Sequence, residues 1–131
     1  MKKLLIIIVA GLVILFAGFS VGVYLWIDIT VKENIKIARK KYPGGKAEDS
    51  LIAYLSDTTN SPEDRSNIAI WTLGQIHSEK ALPVLKKFYN NDPKGKTCHG
   101  RHNSVLCQYE IYKALNAAES NWWPLHQRLN K

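Results

Sequence analysis

The chain has 131 residues and a formal net charge of +7 at pH 7, which leaves room for one small domain and a membrane anchor but not for a second large domain. The charge is uneven: residues 29–46 hold six Lys/Arg against one acid, whereas residues 47–131 hold ten against nine. Nucleic-acid binders carry their charge across a folded face, interleaved with stacking aromatics. The composition therefore predicts contact with a lipid surface and no nucleic-acid partner.

An uncharged run from Leu4 to Ile27 follows the short basic start of the chain. As a helix, these residues would extend ~36 Å, which exceeds the ~30 Å of bilayer hydrocarbon. Tyr24 and Trp26 lie at its far end, where aromatic rings favour the membrane interface, and Asp28 follows. We expect residues 1–28 to be a transmembrane signal-anchor that spans the membrane once. A cleaved secretory signal is the alternative, although the apolar core of such a signal is usually only ~7–15 residues.

Small residues recur along one side of this predicted helix, and we call them the small-residue strip: Ala10, Gly11, Ala17, Gly18 and Gly22. Small side chains let two helix backbones approach closely in lipid. The strip therefore predicts a packing face within the membrane, although glycine is also simply common in membrane helices.

Two signals disagree about the orientation of the anchor. The basic start followed at once by apolar residues resembles a bacterial export signal, whereas more bases follow the run than precede it, which favours a cytoplasmic carboxyl-terminal part. The amino-terminal tail is very short and the first base beyond the run comes only at Lys32. We therefore expect insertion in the bacterial inner membrane, with the carboxyl-terminal domain in the periplasm or cell exterior.

Residues 29–46 are predicted to form a basic juxtamembrane helix and linker. Apolar residues recur with a helical period up to Tyr42, and Pro43, Gly44 and Gly45 then end the helix. We expect the bases of this segment to contact lipid head groups: Lys32, Lys36, Arg39, Lys40 and Lys41.

Residues 47–131 are predicted to form a helical domain. Its first helix should run over 47–56 and bury Leu51, Ile52 and Leu55. A second helix begins at Ser61 and Pro62, a capping hydroxyl followed by proline at the first helical position. It should bury one apolar face, while Gly74 permits a close approach of another helix. Ser78 should cap a third helix over 79–89, which buries Leu82, Leu85 and Phe88.

A looser copy of this pattern follows 42 residues later, where Ile111, Leu115 and Ala118 match Ala69, Leu73 and Ile76. Such self-similarity is typical of stacked helix pairs. The quoted residues, with Arg65, Gly74 and the run from Ala81 to Leu85, resemble the HEAT repeat, especially the short bacterial type named after phycobilin lyases. The resemblance is good over 62–89 and weaker over 104–130. It implies an all-α fold with a short α-solenoid of about two HEAT-like helix pairs after the transmembrane helix.

The two cysteines, Cys98 and Cys107, are nine residues apart. In an exported domain such a pair most simply forms a disulfide bond. Free thiols and a metal site are the alternatives, because Cys98, His99, His102 and Cys107 would supply four suitable donors. Their spacing matches no zinc pattern, so we expect no metal and no other cofactor.

No serine, cysteine or carboxylate lies in a recognisable catalytic setting, and the chain offers no identifiable small-molecule substrate site. The sequence therefore predicts a non-enzymatic subunit that docks on a larger membrane protein complex. Its partner-binding residues outside the membrane should be Ile68, Trp71, Trp122 and Trp123, although the last two residues also fit a role in closing the final helix pair. A helper in cofactor attachment, by resemblance to phycobilin lyases, and a small Cys/His metal sensor are the alternative functions.

Overall fold

Every regular element that the computed structural model describes, over residues 2–101 and 103–119, is helical. No strand occurs in these ranges, so the all-α prediction is confirmed for them. The helices are α1 (Lys2–Lys41), α2 (Ala47–Ser56), α3 (Pro62–Asp64), a π-helical segment (Arg65–Ile70), α4 (Trp71–Gln75), α5 (Leu82–Phe88) and α6 (Gln108–Glu119). Turns of 3₁₀ helix lie at Glu79–Ala81 and Lys96–Cys98.

The chain divides into two units, residues 1–32 and residues 33–131. The first unit consists of the amino-terminal part of α1. The second begins within α1, where Ile35 and Ala38 are buried, and α1 ends just before Pro43 as predicted. The predicted juxtamembrane segment is therefore divided between the two units, and its last helical turns belong to the helical domain.

The core of the second unit is centred on the π-helical segment and α4, which pack between α2 and α6. Nearly every apolar side chain expected on this face is buried, including Ala69, Ile70, Leu73 and Ile76. Both caps are present: Ser61 accepts a hydrogen bond from the Asp64 N–H and Ser78 accepts one from the Ala81 N–H.

Three expected core residues are only half-buried: Ile52, Leu82 and Phe88. In α2 the buried position is instead occupied by Tyr54, whose ring packs edge-on against Tyr42 at 5.8 Å. Because Tyr42 lies just beyond the end of α1, this pairing of rings depends on a contact that the period of α2 alone does not reveal.

The π-helical segment was not expected, since the pattern from Pro62 onward reads as plain α-helix. Here the N–H of Trp71 donates to the carbonyl of Ser66, five residues earlier. The side-chain amide of Asn34 donates to the Asn67 carbonyl (3.2 Å) and to the Thr72 hydroxyl (2.9 Å). Asn34 and Thr72 are buried, so this polar contact supplies a buried hydrogen bond to the widened turn from a distant part of the chain.

A hydrogen-bonded cluster holds the end of α1 on the loop between α2 and α3. The Asp57 carboxylate accepts hydrogen bonds from the Tyr42 hydroxyl and from the Thr59 N–H (2.8 Å). The Lys41 ammonium donates to the Asn60 side chain and lies 3.5 Å from Asp57. These contacts, the Tyr42 hydrogen bond foremost, hold the pKa of Asp57 well below its ordinary value.

Gly74 is the point of closest approach between α4 and α6, as its position on the helix predicted. A Cβ atom placed on Gly74 would lie 3.0 Å from the Ala114 Cα and 3.2 Å from its Cβ. Ala114 is itself 3% exposed. Backbone atoms cannot rotate away as a flexible side chain can, so a side chain at this position would have to push the two helices slightly apart.

Substituting Gly74→Ala should therefore destabilise the protein, although alanine favours helix by about 1 kcal/mol. Overpacking costs about 1–3 kcal/mol, and we expect a net loss of up to about 2 kcal/mol in the free energy of unfolding, measured by urea titration in mild detergent. Ala114→Gly in the same chain should recover part of the loss. Strict additivity of the two substitutions would contradict the proposed contact.

Asp57 should make stability depend on pH. Because its pKa is lower in the folded chain than in the unfolded chain, its contribution is present above about pH 4 and is lost as the pH falls below that value. We expect the difference in thermal midpoint between wild type and Asp57→Asn to shrink between pH 5 and pH 3. Glu63→Gln, at an exposed carboxylate of the same domain, is the control. An unchanged difference over this range would contradict the assignment.

Candidate interaction surfaces

The apolar part of α1 has no cover in the described structure. Large apolar side chains from Ile6 to Trp26 are between 40% and 74% exposed, with Phe16 the most exposed. Covering one such side chain stabilises a protein by about 1.5–3 kcal/mol, so an uncovered helix of this kind is strongly unfavourable in water. The helix is long and apolar enough to span a membrane.

The small-residue strip is open along this helix. Around Gly11, Gly18 and Gly22 no described atom other than local backbone lies within 4 Å of an added Cβ. A second helix would therefore meet no side chain at these glycines. Packing of the strip against a partner stays a prediction.

The five bases expected at lipid head groups fall into two groups. Lys32 forms an ion pair with Asp28 (2.7 Å) and Lys41 belongs to the Asp57 cluster. Lys36, Arg39 and Lys40 are exposed and have no ion pair among the described residues. These three side chains are therefore available to an anionic surface.

Two of the four expected partner-binding residues lie within the described part of the chain. Ile68 and Trp71 are half-buried, so each offers only part of its side chain to another protein. Trp122 and Trp123 lie outside the described residues. The second half of the second predicted helix pair also falls outside that part of the chain, and the stack of two HEAT-like pairs stays a prediction.

The two cysteines lie together, with their Sγ atoms 2.20 Å apart and their Cα atoms 4.9 Å apart. Both are buried, and this placement fits the expected disulfide bond. Cys107 immediately precedes α6, and its carbonyl accepts a hydrogen bond from the Ile111 N–H (3.2 Å).

The alternative metal site is not assembled in the described part of the chain. His99 is exposed, His102 lies outside the described residues, and no group of three or more His, Cys, Asp or Glu side chains among the described residues could hold a metal ion. Two sulfur atoms bonded to each other are poor ligands, because metal binding requires thiolates.

The loop between α5 and α6 is built tightly around the cysteine pair. Gly95 adopts a left-handed conformation (φ 61°), and a Cβ atom there would lie 2.8 Å from the Tyr109 Cβ and 3.1 Å from the Cys98 Sγ. Asp92 accepts hydrogen bonds from the Thr97 N–H and hydroxyl, both at 2.9 Å. The backbone N–H of Thr97 is the main cause that holds the pKa of Asp92 below its ordinary value.

A buried glutamine joins the two ends of this loop. The Gln108 side chain accepts a hydrogen bond from the Asn90 N–H (2.7 Å) and donates one to the Phe88 carbonyl (3.1 Å). Gln108 is only 5% exposed. It therefore satisfies the carbonyl end of α5 with a side chain from the start of α6, which the sequence alone did not indicate.

A group of tyrosines, here called the tyrosine surface, was missed by the sequence reasoning: Tyr89, Tyr109 and Tyr112. The rings of Tyr89 and Tyr112 stack with centroids 6.3 Å apart, and Tyr109 and Tyr112 are 44% and 36% exposed. The Lys113 ammonium lies 4.7 Å from the centre of the Tyr109 ring. The available signal was that Tyr109 and Tyr112 fall off the buried stripe of α6 that contains Ile111 and Leu115.

No protein-family model, no curated protein and no solved structure matches this chain. What the chain does is therefore inferred from the arrangement of its own residues.

The cysteine pairing makes a quantitative prediction. In the chain-entropy model, closing a loop of this length stabilises a protein by about 2.5–3 kcal/mol. The Cys98→Ser/Cys107→Ser variant should lose about that free energy of unfolding, and wild-type protein denatured without reductant should show no free thiol. Two titratable thiols under those conditions would contradict the pairing. A bound metal in elemental analysis would favour the sensor alternative.

Proposed function

We propose that this chain is a non-enzymatic, membrane-anchored interaction subunit. Its amino-terminal helix spans the bacterial inner membrane once, and its helical domain docks on a larger membrane protein complex from the periplasmic or exterior side. The small-residue strip contacts a helix of that complex within the bilayer. Lys36, Arg39 and Lys40 meet anionic head groups at the membrane surface.

The single observation that carries this proposal is the uncovered apolar helix. Its side chains are exposed on every side from Ile6 to Trp26, whereas the core helix of a water-soluble domain buries at least one face. A helix that is apolar all round belongs in lipid or against other apolar helices.

Two further observations support the topology and the absence of catalysis in this proposal. A buried cysteine pair at bonding distance fits an oxidising compartment such as the periplasm. The polar clusters of the described domain, at Asn34 and at Asp57, form hydrogen bonds to neighbouring helices and loops of the same domain, which is the arrangement of structural rather than catalytic groups.

Membrane insertion is tested by charge. Placing lysine at Phe16 and Phe19 in one chain should release it from the membrane fraction, since a lysine at the centre of a spanning helix costs about 2.5–3.5 kcal/mol. Retention is measured by extraction of membranes at alkaline pH, with Phe16→Leu/Phe19→Leu as the matched control. Recovery of the wild type in the soluble fraction, or a purified chain that lacks its first twenty or so residues, would show a cleaved signal instead.

Docking through the strip is tested by size. In mild detergent, Gly18→Ile/Gly22→Ile should reduce the recovery of co-purifying membrane proteins at least severalfold, because branched side chains block close helix approach. Val9→Ile/Val23→Ile adds bulk away from the strip, on the other side of the helix, and should leave recovery unchanged. Purification of the wild type as a lone monomer would contradict the proposed docking.

A further inference from the structure

Unbalanced positive charge lies beside the tyrosine surface, on the loop between α5 and α6. Lys94, Lys96 and Arg101 are exposed and have no ion pair among the described residues. The nearby acids are already engaged: Asp92 by Thr97, and Glu110 by Lys113 at 2.9 Å. Lys94, Lys96, Arg101 and Lys113 thus face only the two acids Asp92 and Glu110, which leaves this region with a net positive charge.

The loop holds these bases close to the first turn of α6. Gly95, between Lys94 and Lys96, packs its backbone against the Tyr109 Cβ. Two successive turns then lead to Arg101, with the Cys98 N–H donating to the Gly95 carbonyl (3.1 Å) and the Arg101 N–H donating to the Cys98 carbonyl (3.0 Å). The cysteine pair joins these turns to the start of α6, so little ordering of the backbone is left for a partner to impose.

We propose that the loop bases and the tyrosine surface together bind an acidic segment of the partner protein. This inference rests on the proposed function and names the surface and the chemistry of the contact. Arginine and tyrosine are enriched at the energetically important positions of protein interfaces, and carboxylates of the partner would form ion pairs with the three loop bases. A partly exposed tyrosine offers both an apolar ring and a hydroxyl group to a peptide.

The composition of this surface favours a peptide over a membrane. Within residues 33–119, the exposed large apolar side chains that the structure describes are Ile37, Tyr109 and Tyr112, and only the tyrosines lie on α6. A helix that lies in a lipid surface presents Trp, Phe or Leu on its apolar face, and α6 exposes none of these residue types. The stacked ring of Tyr112 on Tyr89 instead gives a flat aromatic face that suits an extended peptide.

The test uses the full chain in nanodiscs of zwitterionic phosphatidylcholine and a fluorescein-labelled dodecapeptide of Asp, Glu, Tyr and Gly. Lys94→Gln/Lys96→Gln/Arg101→Gln should raise the Kd of the peptide about tenfold, measured by fluorescence anisotropy at low salt. Lys46→Gln/Lys80→Gln/Lys87→Gln removes the same charge at exposed bases outside both proposed binding surfaces and should change the Kd less than twofold. Tyr109→Ala should weaken binding about threefold or more, with the circular dichroism spectrum unchanged.

Several outcomes would overturn this inference: no measurable peptide binding, equal weakening by the two charge variants, or tighter binding of phosphatidylglycerol vesicles or a twelve-nucleotide oligothymidine than of the peptide. Failure of the proposed function looks different. If the chain were released from membranes, or purified without partners, the proposed function would fail while peptide binding at the loop stayed intact. If the loop variant bound the peptide normally, this inference would fail while membrane retention stayed unchanged.

Discussion

The close approach of α4 to α6 at Gly74 is the constraint on which the helical domain depends. A side chain at this position would meet the backbone of Ala114, and the space is filled by direct helix contact. Leu73 and Ile111, both fully buried, lie next to this contact in their helices. In a domain of about a hundred residues, the close packing of these two helices forms much of the core. A longer side chain at the contact would hold the helices apart.

Polar contacts complete a core that is too small to rely on apolar burial alone. Asn34 supplies a buried hydrogen bond to the π-helical turn, and Asp57 fixes the end of α1. Gln108 and the cysteine pair hold both ends of the loop before α6. The cysteine pair restricts the unfolded chain, and the side-chain hydrogen bonds satisfy polar groups that folding removes from water.

Two surfaces of the chain, the exposed bases of α1 and the loop bases beside the tyrosine surface, differ in how nearby acids pair with them. Along α1, Asp28 compensates Lys32, and Asp57 compensates Lys41, which leaves three bases beyond the apolar helix. On the loop before α6, the carboxylate of Asp92 accepts hydrogen bonds from Thr97 and, in the described structure, forms no ion pair with the loop bases. The acids of the chain thus pair within the local structure. The remaining exposed bases are available to external partners, which we propose to be lipid for the bases of α1 and protein for the bases of the loop.

The sequence by itself determined the helical class, the bounds of α2, the end of α1 at Pro43 and both serine caps. These features depend on the local periodicity of apolar residues and on side chains that act within one helical turn. They can therefore be predicted from short stretches of sequence. The role of Gly74 was also readable, but its partner Ala114 was not. The pairing of the two cysteines was expected because they form an even pair in a domain predicted to be exported.

Only the tertiary structure decided the π-helical segment, the burial of Tyr54 in place of Ile52 and the hydrogen bonds of Gln108 to both ends of the loop. The structure also decided which tyrosines remain exposed, because exposure depends on which neighbour covers each face. In every case the deciding atom comes from a residue outside the local helix: Asn34 for the π-helical turn, Tyr42 for Tyr54, and Phe88 for Gln108. Local sequence patterns report only on neighbours within a few residues, and contacts across 12 to 38 positions are settled by packing.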